Sequence, residues 1–188
     1  MKLMSLEQFN HAHATELATV LNHCVPIQAW ADALILQRPF CSTAQLVEYA
    51  AQQADTWTWS DIEAALAHHP RIGERQAQQS LSETEQRYSA QEQALIYADQ
   101  TQPNAENQQS NQTDTSKNSM PLALLQGNQA YEDRFGFIFL IKAAGLSQAQ
   151  ILAALASRLH NDLDTEQHIV QQQLKAIALL RLTQELQA

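Results

Sequence analysis

Glycine and proline are scarce in this chain, at four and five of 188 residues. Together they make up about 5% of the sequence, against roughly 12% in an average protein. All-β sandwiches and barrels need a tight turn every dozen residues or so, and such turns draw on these two residues. The shortage argues against those folds. None of the four glycines (Gly73, Gly127, Gly136, Gly145) stands at the spacing of a dinucleotide loop or a P-loop. With 29 alanines and 27 glutamines, both at home in helices, the composition points to an all-α protein.

The length suits one domain over 1–188, large enough to bury a core and hold a pocket. The formal charge is −9, from 11 Lys+Arg against 20 Asp+Glu, and no basic cluster relieves it. Nucleic acid and an anionic membrane surface are therefore poor partners. Cys24 and Cys41 cannot build a thiolate metal cage; they read as reduced thiols of a cytoplasmic protein, with a single disulfide as the alternative. Met1–Phe9 lacks the apolar run of a signal peptide, no apolar stretch reaches membrane-spanning length, and Leu186-Gln187-Ala188 is not a peroxisomal address.

Capping boxes mark the helix starts: Ser5 with Gln8, Ser42 with Gln45, Ser60 with Glu63, Ser82 with Glu85 and Ser147 with Gln150. Apolar residues follow at helical spacing, as in Ile27, Trp30, Ala31 and Leu34, or Leu46, Val47, Ala50 and Ala54. Val170, Leu174, Ile177 and Leu182 predict a long final helix from about Asp164. Pro39, Pro70 and Pro121 are expected at element boundaries, and the four glycines where the backbone bends. From Asp99 to Ser119 there is no Leu, Ile, Val, Phe or other aromatic residue. Such a stretch cannot offset its ordering entropy by burial, which predicts a mobile loop over 99–119 inserted in a single multi-helix bundle. A linker between two domains is the rival reading. Phe135–Ile141, the most apolar run, suits a short buried strand, a buried helix or an extended segment equally.

His69 continues the apolar face of Ile62, Ala65 and Leu66, and Pro70 places it in the last turn of that helix. Terminal carbonyls there favour the protonated ring and burial favours the neutral one. A histidine so placed can titrate near neutrality and move protons. The plainer reading, a satisfied core or C-capping histidine, is favoured by spacing alone. Arg158 follows Ile151, Ala154 and Leu155 in the same way, and a partly buried guanidinium needs an anionic or carbonyl partner. That partner is either a substrate carboxylate or ureido oxygen, or a structural carboxylate such as Asp162 or Glu166. Glu85 fits a capping-box role after Ser82, while Arg71, Arg134 and Arg181 read as structural. His11, His13 and His68 match no metal signature, and no metal site is expected. The four lysines, the two cysteines and the serines lack the contexts of Schiff-base or nucleophilic chemistry. Acid–base and electrostatic chemistry without a cofactor remains.

The block His69-Pro70-Arg71-Ile72-Gly73 resembles the HPRIG signature of the 2-oxo-4-hydroxy-4-carboxy-5-ureidoimidazoline (OHCU) decarboxylases. Further blocks follow in the family's order. Trp30 and Arg38-Pro39-Phe40 come first, and then Leu81-Ser82 with Glu85-Gln86. Asn128, Tyr131 and Arg134–Phe137 precede Arg158-Leu159, Asn161-Asp162, Glu166 and Leu180–Leu182. The resemblance spans roughly Leu17 to Leu182 apart from the polar stretch. Two departures stand out: Arg87, Tyr88 and Ser89 follow the Glu-Gln pair where small residues and glycine are common, and the polar stretch is unusually long.

The resemblance implies an all-α carboxy-lyase of urate (purine) degradation that forms (S)-allantoin and CO2 without a cofactor, and relatives suggest a homodimer. It makes His69 and Glu85 the catalytic pair and Ser82, Gln86 and Arg158 substrate-binding. Backbone groups of Phe137, Ile138, Phe139, Leu140 and Ile141 are expected to contact substrate as well. Two rival readings stand beside it. One is an enzyme of this fold acting on another ureido or imidazoline acid; the other is a non-catalytic helical binding module in which His69, Glu85 and Arg158 are structural.

Overall fold

The computed structural model describes residues 4–72 and 116–186, the stretch 116–121 by its backbone alone. Within these residues all regular secondary structure is helical. The helices are α1 (Leu6–His11), α2 (Ala14–Cys24), α3 (Gln28–Leu36), α4 (Thr43–Ala54), α5 (Trp59–Leu66), α6 (Ser116–Phe135), α7 (Gln148–Arg158) and α8 (Leu163–Glu185). The all-α expectation holds. No helix of the described residues is long and apolar enough to cross a membrane. The chain divides into two compact units, residues 1–69 with 167–188, and residues 70–166.

In the first unit α2 packs on α3 and α3 on α4. The stripe Ile27, Trp30, Ala31 and Leu34 is buried as its spacing predicts, as are Val170, Leu174, Ile177 and Leu182 of α8. The Trp30 indole donates to the Ala50 carbonyl over 2.9 Å and meets the Trp57 ring edge-on, so it joins α3 to α4. Arg38 staples the end of α1: its guanidinium donates to the carbonyls of Ile35, Phe9, Asn10 and Ala12. Asn10 completes the staple by donating to the Phe40 carbonyl and accepting from the Phe40 N–H, each over 2.9 Å. The Trp30 and Arg38–Phe40 blocks are thus engaged in holding the first unit together. Cys24 is buried and Cys41 exposed, both as thiols.

Capping follows the sequence in part. Ser5 with Gln8 and Ser147 with Gln150 form full boxes, and Ser42 accepts from the Gln45 N–H. The Gln45 side chain accepts from Cys41 N–H instead of closing the box on Ser42. At α5 the expectation fails: Thr58 with Asp61 forms the box, and Ser60 lies inside the helix. Thr58 donates first its hydroxyl and then its N–H to the Asp61 carboxylate, and these bonds hold that carboxyl below the usual carboxylate range.

In the second unit α6 packs on α7. Helix α6 begins at Ser116, so residues 116–119 of the polar stretch are helical and Pro121 lies inside a helix rather than at its boundary. The rest of the stretch expected to form a loop lies outside the described residues. Gly127 is also helical, in place of the expected bend. A Cβ there would come within 2.4 Å of Leu155 Cδ2 on α7, so glycine serves close helix packing. Gly136 does what glycine is expected to do after a helix. At φ +82° it stops α6, with its N–H on the Glu132 carbonyl.

Candidate active site

His69 sits three residues beyond α5, which ends at Leu66, one turn earlier than the spacing predicts. Its backbone N–H donates to the Leu66 carbonyl, and its Nδ1 lies 3.2 Å from the Ala65 carbonyl oxygen. A carbonyl only accepts, so Nδ1 carries the proton in this bond and Nε2 is the basic nitrogen of the neutral ring. The half-buried imidazole thereby caps a carbonyl at the end of α5 and has its tautomer set by the same contact.

In the second unit the residues after His69 are tied to α6. Arg71 grips Glu132 with two parallel bonds of 2.6 and 2.8 Å. Asn128, almost wholly buried, donates to the Ile72 carbonyl over 3.0 Å. Arg134 donates to the Asn161 carbonyl, as its structural reading expects. In the first unit Arg181 reaches the Cys24 carbonyl over 3.4 Å.

Of the apolar run Phe135–Ile141, Phe135 ends α6, and Phe137–Ile141 runs on towards α7 without regular secondary structure, neither strand nor helix. The phenylalanines gather around Tyr131, which meets the rings of Phe135, Phe137 and Phe139 at centroid distances of 4.8, 5.9 and 5.2 Å. Phe137, Phe139 and Leu140 are buried, whereas Ile138 and Ile141 are partly exposed.

Arg158 closes this unit from the end of α7. Its Nη1 donates to the Leu140 carbonyl over 2.8 Å, and its guanidinium lies 4.6 Å from the Phe139 ring centroid. The segment and the arginine, which the sequence singled out separately, are therefore in contact. The carboxylate partner is Glu166, which accepts from Nε at 2.7 Å with Nη2 at 2.5 Å. The other carboxylate named from the sequence, Asp162, instead accepts from Thr165 N–H at the start of α8. That bond and the Thr165 hydroxyl hold its carboxyl low. Ser82, Glu85 and Gln86 lie outside the described residues.

Sequence reasoning did not connect Tyr131 or Asn161 with Arg158. The Tyr131 hydroxyl donates to Glu166 Oε1 and accepts from Arg158 Nη2, and Asn161 donates to Glu166 Oε2 over 2.7 Å. Burial first, and then the bond to Glu166, push the Tyr131 hydroxyl well above the ordinary tyrosine range, while the Arg158 charge pulls the other way. The available signal was the polar character of Tyr131 and Glu166 at positions where helical spacing asks for burial.

Helices throughout the described residues, with an irregular aromatic segment set between two of them, define the class as an all-α protein. The comparison with known families narrows that class. Residues 10–183 match the family of OHCU decarboxylases, and the chain belongs to it. It is 24% identical over 181 residues to the uric acid degradation bifunctional protein of Bacillus sp. (strain TB-90). That alignment takes in 96% of this chain but only 32% of the relative's length. The fold is similar to that of an OHCU decarboxylase crystallised in the presence of (S)-allantoin, with a TM-score of 0.61 at 23% identity over 86% of this chain and 92% of the other. It is similar also to an (S)-allantoin synthase, with a TM-score of 0.65 at 17% identity, covering 97% of this chain and 54% of the other.

Proposed function

We propose that this chain decarboxylates 2-oxo-4-hydroxy-4-carboxy-5-ureidoimidazoline to (S)-allantoin and CO2 in the breakdown of urate, without a cofactor. The observation that carries this reading is the family match, which runs across residues 10–183 and takes in His69 and Arg158. The same span supports reading both compact units as parts of a single family domain over 1–188. We further read the protein as cytoplasmic, from its cysteine usage, and as a homodimer, the state that relatives suggest.

The bond from the ring carbon to the carboxylate breaks, CO2 leaves, and the electron pair spreads into the adjoining carbonyl and imine. A proton then reaches one face of the neighbouring ureido-bearing carbon, and the hydroxyl of the carbon that lost CO2 gives up its proton to become the product's carbonyl. His69, with Nδ1–H on the Ala65 carbonyl, offers Nε2 to the carboxylate end of the substrate and handles the proton, with Glu85 aligning it. Arg158 serves the ureido or ring-oxygen end, and Ser82 and Gln86 orient the ring. Because Glu166 already balances the Arg158 charge, this arginine is better suited to a neutral carbonyl than to a second carboxylate. Backbone groups of Phe137–Ile141 line the ring. Their apolar side chains disfavour the localised carboxylate charge relative to the delocalised anion.

The test is to generate the ureidoimidazoline fresh from urate and follow the optical activity of the allantoin formed. Wild type is expected to give (S)-allantoin rapidly, and His69→Ala to leave only the slow racemic background. Racemic product from wild type at the background rate would overturn the substrate assignment. Full activity in a folded His69→Ala protein would overturn the mechanism and leave the substrate standing.

A further inference from the structure

Glu166 is fully buried, and neither the sequence reading nor the proposed chemistry gives it a task beyond pairing with Arg158. Three side chains from three places in the chain converge on its carboxylate. Arg158, at the end of α7, approaches Oε1 through Nε at 2.7 Å and Nη2 at 2.5 Å. Tyr131 of α6 donates its hydroxyl to the same oxygen. Asn161, in the turn before α8, donates to Oε2 over 2.7 Å. A buried ion pair repays its desolvation poorly as a source of stability, since an apolar replacement of the same shape often serves as well. What a fully bonded carboxylate supplies is direction. With Nε and one edge of Nη2 turned to Glu166, the planar guanidinium has a single orientation, and in it Nη1 meets the Leu140 carbonyl over 2.8 Å.

We propose that Glu166 is a positioning residue of the decarboxylation site: it sets the guanidinium of Arg158 and, through it, the backbone of the Phe137–Ile141 segment. The inference rests on the function proposed above, in which Arg158 and that segment hold the substrate. Counting donors supports a shared task. Of the five N–H groups of Arg158, four are directed at protein partners: Nε and one edge of Nη2 at Glu166, the rest of Nη2 at Tyr131, and one edge of Nη1 at Leu140. The second hydrogen of Nη1 is left to meet a ligand oxygen. Without Glu166 the side chain keeps its charge, because arginine does not deprotonate, but it loses the reference that aims that hydrogen.

The experiment compares steady-state kinetics of wild type, Glu166→Gln, Arg158→Lys and the double variant on freshly generated ureidoimidazoline, with circular dichroism confirming the fold. A grip that acts on bound substrate and transition state alike shows in KM. Glu166→Gln is therefore expected to raise KM about tenfold and to change kcat by less than about threefold. Since Glu166 acts through Arg158, adding Glu166→Gln to Arg158→Lys is expected to cost no more than about twofold further. A purely structural Glu166 would lower the melting temperature and leave KM alone. A folded Glu166→Gln enzyme with wild-type KM overturns the proposal, as do losses that multiply independently in the double variant. If Glu166→Gln does not fold, Tyr131→Phe, which removes one bond to the carboxylate, takes its place; a KM rise of about threefold supports the proposal and an unchanged KM overturns it. Wild type without turnover fails the functional reading and this proposal with it. Active wild type beside unaffected variants fails the proposal alone.

Discussion

The side-chain amide of Asn128 donates to the backbone carbonyl of Ile72 over 3.0 Å, across 56 positions of the chain. Ile72 belongs to the block that begins at His69, and Asn128 opens the block that runs through Arg134 to Phe137. Two of the sequence blocks that mark the family thus meet at one hydrogen bond. Both residues are buried, so no water stands ready to replace either partner. Asn128→Ala is expected to cost about 1–3 kcal/mol by leaving the Ile72 carbonyl unsatisfied. Asn128→Asp is expected to cost more at neutral pH than near pH 4, because only the protonated acid can donate to that carbonyl. Urea unfolding at the two pH values checks both; equal stability of Asn128→Ala and wild type would deny the bond any weight.

The start of α5 offers a sharp contrast between neighbours. Thr58 caps the helix and Ser60 does not, so Thr58→Ala is expected to lose about 1 kcal/mol while Ser60→Ala stays within about 0.5 kcal/mol of wild type. Thermal denaturation of the two single variants decides it. The reverse order would restore the register that Ser60 and Glu63 suggest in the sequence.

Gly127 tests close packing between α6 and α7. Alanine is the better helix former by about 1 kcal/mol, yet its methyl would press on Leu155, a residue with almost no exposed surface. Overpacking of this kind costs about 1–3 kcal/mol. The net expectation for Gly127→Ala is a loss of about 1 kcal/mol, and restoring room with Leu155→Val in the same chain should recover part of it. A gain in melting temperature from Gly127→Ala alone would show that Leu155 moves aside freely.

Tyr131 gives the pH dependence a definite sign. Its hydroxyl is held protonated well above the ordinary tyrosine value, by burial and by Glu166. The native state therefore keeps a proton that the unfolded chain releases above about pH 10. This contribution to stability is complete below that pH and is lost as pH rises beyond it. The stability gap between wild type and Tyr131→Phe should stay constant from neutrality to about pH 9 and shrink above about pH 10. A gap that widens in alkali would mean that the hydroxyl ionises more easily in the folded protein than in the unfolded chain.

Some parts of the site were legible in the sequence and others were not, for the same physical reason. The position of His69 at the end of a helix could be read from Ile62, Ala65, Leu66 and Pro70, because helical periodicity and proline act over a few residues. The helix itself stops at Leu66, and its start falls to Thr58 rather than Ser60, because two candidate caps two positions apart satisfy the same local rule and only the folded backbone chooses between them. The burial of Arg158 was legible in the same way, and its need for a counter-charge followed from the chemistry of arginine. The choice of Glu166 over Asp162 was not, since each lies within reach along the chain and only the fold turns one inward.

By itself the sequence determined the helical class, through its scarcity of glycine and proline, the apolar stripes that became the core, and the ordered blocks that mark the OHCU decarboxylase family. These are local or cumulative properties, carried by residues a few positions apart or by composition summed over the chain. The tertiary structure decided what local rules cannot reach. It brought Tyr131 to Glu166 across 35 positions and Arg158 to the Leu140 carbonyl across 18. It left Phe137–Ile141 without regular secondary structure where periodicity allowed three answers. Hydrogen bonds between distant side chains depend on how whole helices pack, and that packing is a property of the folded chain rather than of any short stretch of it.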